Sequence, residues 1–278
     1  MAQISIRRVD RRNPSSTWLG NYRHNVFSQI GQDGVLAKTF EVIGLGQGST
    51  SLEFGAWDGM YLSNTANLVK NLGWRGIFIE GNADKYHELR LNYESEILDN
   101  RVVAINDYVQ TKPGQGSLKE IINRHSILTV NFLSIDIDGN DIHILRSLSF
   151  RPECILIEFN PSISNDCYFA QEDDFSLNQG ASLLAILSDA RELGYELIYA
   201  FDFDALLVRR DKYHLFGIED NSIDAMHMPL WDSRFIQCYD GTIYIDGFRR
   251  LIWHGIDFGS DELQLLPKQM RRFTDAQF

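Results

Sequence analysis

The stretch TSLEFGAWDG, residues 50–59, decides how this chain is organised. TSLEFG reads as a short apolar strand that stops at Gly55, and the polar AWDG behind it reads as a turn leading away from the strand. Upstream, SQIGQDGVLAKTFEVI (28–43) places Val35, Leu36, Thr39, Phe40 and Ile43 on one helical stripe, which GLGQGS (44–49) ends. Downstream, Leu68, Val69 and Leu72 mark a short helix with Gly73 at its end, and GIFIE (76–80) is a second strand. A helix through Tyr86, Leu89 and Tyr93 leads to a third strand, RVVAINDYV (101–109). Ser117 can cap LKEIINRH, TVNFLSIDI (129–137) is the fourth strand, and CILIEFN (154–160) is the fifth. Between the last two, a helix beginning near Asp138 carries Ile142, Leu145 and Leu148.

Strands written as nearly continuous apolar runs, alternating with helices, predict an α/β fold whose parallel sheet is covered on both faces by right-handed crossovers. Residues 161–180 are polar and turn-prone, long enough for a lid or substrate loop. A clear helix returns at 181–193, and YELIYAF with the DALLVRR that follows reads as a hairpin adding an antiparallel edge. The expected organisation is an N-terminal arm (1–25), a main domain (26–210) and a C-terminal extension (211–278). That extension carries Trp231, Phe235, Tyr239, Tyr244, Phe248 and Trp253, too apolar for a simple disordered tail. It either packs, covers an active-site entrance or contributes to a homodimer.

The chain of 278 residues has 38 acidic and 26 basic side chains, a net charge of −12, which argues against a nucleic-acid partner. The charge is uneven: Arg7, Arg8, Arg11, Arg12 and Arg23 give residues 1–24 a balance of +4. Cys154, Cys167 and Cys238 form neither a close pair nor an even set, so no disulfide framework is indicated. No run approaches a membrane span or a signal peptide, and a cytoplasmic protein is expected.

In an open α/β sheet a ligand sits outside the carboxyl ends of the strands, and polar residues collect there. Glu53, Gly55, Asp58 and Gly59 flank the first turn, Glu80 ends the second strand, Asn106 and Asp107 lie at the third, and Asp136 and Asp138 end the fourth. Gly55 permits close backbone approach, and Glu80 can accept both hydroxyls of a ribose. Residues 105–108 border the position of an adenine. The first loop is not G-x-G-x-x-G, which counts against a nicotinamide site, and Gly44, Gly46 and Gly48 precede the strand. No Walker-type phosphate loop is present.

Six ordered blocks, SQIGQDGVL (28–36), LEFGAWDG (52–59), LSNT (62–65), GWRGIFIE (73–80), FLSIDIDGND (132–141) and ILIEFNP (155–161), resemble FkbM-type S-adenosylmethionine-dependent methyltransferases. The resemblance covers roughly residues 26–210. It implies a class I methyltransferase, Rossmann-like fold: a seven-stranded, mostly parallel sheet with helices on both faces and an antiparallel final strand. By it, Glu53, Gly55, Asp58 and Gly59 line the methionine and ribose part of S-adenosylmethionine, and Glu80 holds the ribose. Gln29, Gln32 and Asp33 close over the pocket, with Ser63 and Asn64 as further contacts; early-helix solvation is the plainer account of Gln32 and Asp33.

The second concentration of chemistry is Asp136, Asp138, Asp141, His143, Glu158 and Asn160. Converging carboxylates raise one another's pKa values unless water separates them, protons are shared or a cation joins them. Oxygen ligands favour magnesium or manganese, and similarity to other catecholate and sugar O-methyltransferases, which hold a metal by carboxylates and an amide at these sheet ends, implies Asp136 or Asp138 with Glu158 and Asn160 as the ligand set; polar catalysis without metal and a purely structural network are the alternatives. Asp136 borders both cofactor and acceptor, while Asp138 and Asp141 can instead cap the next helix. Either His143 or one of the acids takes the acceptor proton, His143 having ordinary polar packing as its bland account. Trp57, Phe159 and Tyr168 are the aromatics that can meet an acceptor ring, or serve as core anchors. The function implied is methyl transfer to a hydroxyl of a sugar, glycan or related natural product. An N-methyltransferase, a nicotinamide-dependent oxidoreductase and a non-catalytic interaction protein are the competing readings.

Overall fold

The computed structural model describes residues 9–114, 116–251 and 255–271. Arg7 and Arg8 of the basic N-terminus and Trp253 of the tail lie outside the described residues. Seven strands form the central sheet: β1 (Thr50–Phe54), β2 (Arg75–Ile79), β3 (Val102–Ile105), β4 (Phe132–Ile135), β5 (Cys154–Glu158), β6 (Tyr195–Ala200) and β7 (Asp204–Arg209). Their order is β3-β2-β1-β4-β5-β7-β6, with only β7 antiparallel to its neighbours. In the central register Leu52 lies opposite Ile77 on one side and Leu133 on the other. This is the seven-stranded, Rossmann-like class I methyltransferase arrangement.

The helices are α1 (Gln32–Ile43), α2 (Ala66–Lys70), α3 (Ala83–Asn92), α4 (Glu94–Leu98), α5 (Leu118–Arg124), α6 (Asp141–Ser147) and α7 (Leu183–Glu192). Alternation along β2 divides the core. Ile77 and Ile79 join the main apolar cluster with Phe40, Trp74, Ile121, Ile142 and Ile186. Phe78 turns the other way, onto Val69, Leu89 and Tyr93. Both faces are covered, as continuous apolar strands require.

β3 and β4 are shorter than the sequence expectation, and three further differences bear on the site. The first helix begins at Gln32 rather than Ser28, because Gly31 adopts φ 90° and the Asp33 carboxylate gathers the amides of Val26, Phe27 and Ser28 into a turn. The helix after β4 begins at Asp141, not near Asp138: Asp138 has φ 58°, which breaks the chain direction. The antiparallel strand is not the edge. β7 is inserted between β5 and β6, with Ala205, Leu206, Leu207 and Val208 wholly buried, so its unbroken apolar run occupies an interior position and β6 takes the rim.

The flanking segments pack on this body. Leu19, in a 3-10 turn at Trp18–Tyr22, is fully buried, and Trp18 Nε1 donates to the Phe216 carbonyl. After β7, α8 (Arg210–Tyr213) and α9 (Ile223–Met226) bring Phe216, Ile218 and Met226 into the core. Beyond them β8 (Ser233–Gln237) and β9 (Ile243–Gly247) form an antiparallel hairpin, and β10 (Arg250–Leu251) pairs with β11 (Ile256–Asp257). No helix among the described residues is long and apolar enough to cross a membrane.

Gly34 shows how tightly the N-terminal segment is laid down. A Cβ there would stand 1.9 Å from the Tyr22 carbonyl oxygen and 2.9 Å from the His24 amide. Gly34→Ala would gain about 1 kcal/mol of helix propensity. Neither clashing backbone atom can rotate away, so overpacking of about 1–3 kcal/mol is expected to prevail. A lowered midpoint in urea unfolding checks this; a raised midpoint would show that residues 22–24 yield freely.

Candidate functional site

The chain runs outward from β1 through β2 to β3, then returns to the other side of β1 as β4, which makes the β1–β4 boundary the switch point of the sheet. Gly55 stands there with φ 67°, and a Cβ on it would lie 2.5 Å from the Asp136 carbonyl oxygen. The two strand ends therefore approach more closely than any side chain allows. Trp57, Leu62 and Asp138, three of the five non-glycine residues with positive φ among those described, also lie in the loops leaving β1 and β4. Such conformations cost of order 1–3 kcal/mol each, so backbone strain is concentrated at this end of the sheet.

Glu80 follows β2 and is buried beside that boundary. Its two carboxylate oxygens accept separate backbone amides, Oε2 from Trp57 at 2.7 Å and Oε1 from Asn82 at 2.7 Å. Each oxygen keeps lone-pair capacity for a further donor. Asn106 Nδ2 donates to the Glu80 carbonyl at 2.7 Å, and the exposed Tyr108 ring lies over Gly81. On the other flank the exposed Trp57 ring carries Lys85 Nζ 4.6 Å from its centroid.

Several candidates from the sequence are engaged in holding the loops. Glu53 is buried and accepts from Ser63 Oγ, Thr65 Oγ1 and the Asn64 amide, while burial pushes its pKa up. Asn64 Nδ2 donates to Ser134 Oγ, leaving its buried Oδ1 without a partner among the described residues. Asp58 Oδ1 accepts from the Met60 and Tyr61 amides, an Asx-type turn. Gly59 accepts from the Tyr93 hydroxyl at 2.7 Å. Asp107 pairs with Arg124 at 3.0 Å. Gln32 Nε2 donates to Asp204 at 2.8 Å, and the exposed Gln29 meets Asn25 through its backbone carbonyl.

The ends of β4 and β5 bring Asp136, Asp138 and Glu158 together, with one carboxylate oxygen of each within 4.8 Å of the others. No lysine, arginine or hydrogen-bond donor among the described residues meets these three groups, and Glu158 Oε2 is buried without a partner. Burial first, then the charges of Asp204 and Asp141, pushes Asp136 well up. Glu158 rises for the same reason, with Asp136 the leading neighbour. Asp204 pairs in register with Glu158, and burial pushes it to about 7. Uncompensated carboxylates at this spacing are separated by water, share protons or hold a cation, and of the three only Asp138 is exposed to water.

Asp141 has a structural place: its two oxygens accept the Ile137 and Gly139 amides at 2.9 Å each, and burial brings it to about 6. Asn160 is likewise engaged, Oδ1 accepting from the Ser162 amide and Nδ2 donating to the Gln179 carbonyl. His143 stands apart from the three acids. Its Nε2 bonds the Gln171 carbonyl at 2.8 Å, which requires the proton on Nε2 and leaves Nδ1 beside the Arg146 guanidinium. It lines a cavity of about 990 Å³ between α5 and α6.

Of the aromatics, Trp57 is exposed, Tyr168 is exposed near Arg146, and Phe159 is buried with its ring against His227. His227 was invisible to sequence reasoning, since it stands alone in the tail with no motif around it. It lines a second cavity, of about 330 Å³, with Arg11, Asn165, Asp224 and Arg234.

No family model matches the sequence, and no curated protein does. Among solved structures the chain is similar to a SAM-dependent methyltransferase from Aquifex aeolicus: 14% identity, 62% of this chain and 86% of that one, TM-score 0.36. A SAM-dependent methyltransferase from Geobacter sulfurreducens, solved with S-adenosyl-L-homocysteine, matches at 14% identity over 67% and 73%, TM-score 0.37. The METTL16 MTase domain matches at 12% identity over 64% and 66%, TM-score 0.41. At these values the likenesses assign no activity, and the fold stands on strand order and register.

Proposed function

We propose that the chain is an S-adenosylmethionine-dependent methyltransferase of the FkbM type, acting on a hydroxyl of a sugar, glycan or related natural product. The observation that carries this reading is Glu80: a carboxylate oriented by two backbone amides at the end of β2, beside the switch point of the sheet. A ribose presents two adjacent hydroxyl donors, which suits its remaining lone pairs. The unpartnered Asn64 Oδ1 offers a further acceptor near β1. The bound cofactor supplies an electrophilic sulfonium methyl.

Glu80 fixes the nucleoside, Gly55 keeps the backbone of β1 out of its way, and Asp136 with Glu158 stands at the next strand ends. Proximity and alignment provide most of the rate gain in such a transfer. Burial first, and then the neighbouring carboxylates, push Asp136 and Glu158 well above the usual carboxylate range, which suits them to exchange a proton with an acceptor hydroxyl. The same three acids fit a hard divalent ion: oxygen donors only, convergent, and with no internal cation to neutralise them. Asp136, Asp138 and Glu158 would hold magnesium or manganese, whose chemistry is to acidify a bound hydroxyl.

Calorimetry is expected to show binding of S-adenosylmethionine and S-adenosylhomocysteine and none of NAD or NADP; the reverse pattern would establish the oxidoreductase reading. Asp136→Ala is expected to lower turnover about tenfold or more while leaving cofactor affinity within about twofold. Magnesium or manganese is expected to raise the melting temperature of the wild type and not of Asp136→Asn, since an ion bound only by the folded state stabilises it. Equal response in both proteins would remove the metal.

A further inference from the structure

His227 lines a cavity and joins it to the end of β5, because the ring of Phe159, the residue after Glu158, packs edge-on against the imidazole with centroids 5.2 Å apart. Two side chains, Asn165 and Asp224, fix the state of that imidazole. Asn165 Nδ2 donates to Asp224 Oδ1 at 3.0 Å and to the His227 carbonyl at 3.1 Å. With its amide nitrogen committed to two acceptors, Asn165 can only accept through Oδ1, which lies 2.8 Å from His227 Nδ1. The proton is therefore on Nδ1, and Nε2 carries a bare lone pair. His227 is 6% exposed, and Nε2 has no partner among the described residues. Burial also holds the ring's pKa down, to about 4, so it stays neutral.

We infer that this cavity of about 330 Å³ is a binding subsite for a hydroxyl-bearing ring of pyranose size, in which His227 Nε2 accepts a hydrogen bond from one ring hydroxyl. The rest of the lining offers both donors and acceptors. Arg11 and Arg234 supply N–H groups, Ser164 a hydroxyl, and Asp166 and Asp224 carboxylates. Arg11 is drawn to Asp224 at 3.5 Å and Arg234 to the buried Asp232 at 3.3 Å, so each arginine already has a carboxylate partner and the lining selects a neutral polyol rather than an anion. A neutral imidazole acceptor needs a donor opposite it, which excludes a purely apolar occupant. That this ring is the methyl acceptor rests on the methyltransferase reading; that it binds does not.

The test uses the full chain with ¹⁵N-labelled histidine, His227 being assigned by comparison with His227→Gln. Long-range proton–nitrogen spectra at neutral pH are expected to show the Nδ1–H form. Methyl β-D-glucopyranoside is the probe and glycerol the control. The pyranoside is expected to shift Nε2 and leave His143 unmoved, and its affinity is expected to fall at least about tenfold in His227→Gln. Asn165→Leu, a second variant, is expected to release the proton to Nε2 and lose the same binding. An Nε2–H form in the wild type, an Nε2 signal unmoved by the pyranoside, or an equal shift with glycerol would overturn the proposal. Calorimetry with S-adenosylmethionine on the same sample separates the two claims. If the cofactor fails to bind while the pyranoside still moves Nε2, the subsite stands and the methyltransferase reading falls.

Discussion

Glu80→Ala is expected to raise the Kd for S-adenosylmethionine about 100-fold, equivalent to about 2.7 kcal/mol. Hydrogen bonds to a charged acceptor contribute about 1.5–3 kcal/mol each, and the ribose offers two; ordering the nucleoside offsets part of the sum. The carboxylate is preorganised, because the Trp57 and Asn82 amides already fix its plane. Both of those residues are exposed, so water can satisfy their amides in the variant and the fold should survive. Glu80→Gln replaces one acceptor oxygen with a donor and should fall between the two, at about tenfold. Calorimetry gives the affinities, and circular dichroism checks folding. Unchanged affinity in a folded Glu80→Ala protein would remove the ribose role and with it the observation on which the methyltransferase reading depends.

The second large effect is on stability and depends on pH. Asp204 is raised from 3.8 to about 7, first by burial and then, after the opposing Gln32 hydrogen bond, by the charge of Asp141. Between about pH 4 and 7 the folded protein keeps a proton that the unfolded chain has released, so stability falls as pH rises through that window. Above it the group is ionised in both states and the full cost of its burial applies, up to roughly 4 kcal/mol at 1.36 kcal/mol per unit. His227 works in the opposite direction, since burial lowers it from 6.5 to about 4 and stability grows as pH rises between those values.

Comparing Asp204→Asn with the wild type cancels the His227 contribution. Asparagine retains an oxygen to accept Gln32 Nε2, so the variant is expected to lead by about 1–2 kcal/mol at pH 5, where the unfolded chain has already released most of its proton, and by about 4 kcal/mol at pH 8. Urea unfolding at both pH values measures the difference. An advantage of the same size at both would show that Asp204 does not titrate in this range.

Much of the sheet is legible in the chain because strand and helix are encoded over a few residues. GIFIE and CILIE carry their burial in composition alone, and Gly55, Glu80 and Asp136 are recognisable because a strand end is a local event. The six blocks place them in one order along the chain, and the sheet then sets β1 between β2 and β4. Loop-holding roles were less legible: the sequence offers Asp33 as a pocket contact or early-helix acid and Asp141 as a helix cap, whereas each turns its carboxylate onto backbone amides of the loop before its helix.

What the sequence by itself determined is thus the alternation of apolar runs, the two covered faces and the strand ends that hold carboxylates, all properties of neighbouring residues. Tertiary structure alone decided that β7 is interior and that the expected convergence of Asp136, Asp138 and Glu158 meets no lysine or arginine among the described residues. It also decided that His143 points away while His227 is held neutral by Asn165, 62 positions distant. The reason is physical: periodicity reports which face of an element is buried, whereas pairing partners, charge clustering and the tautomer of a buried imidazole depend on atoms brought together only by the packed chain.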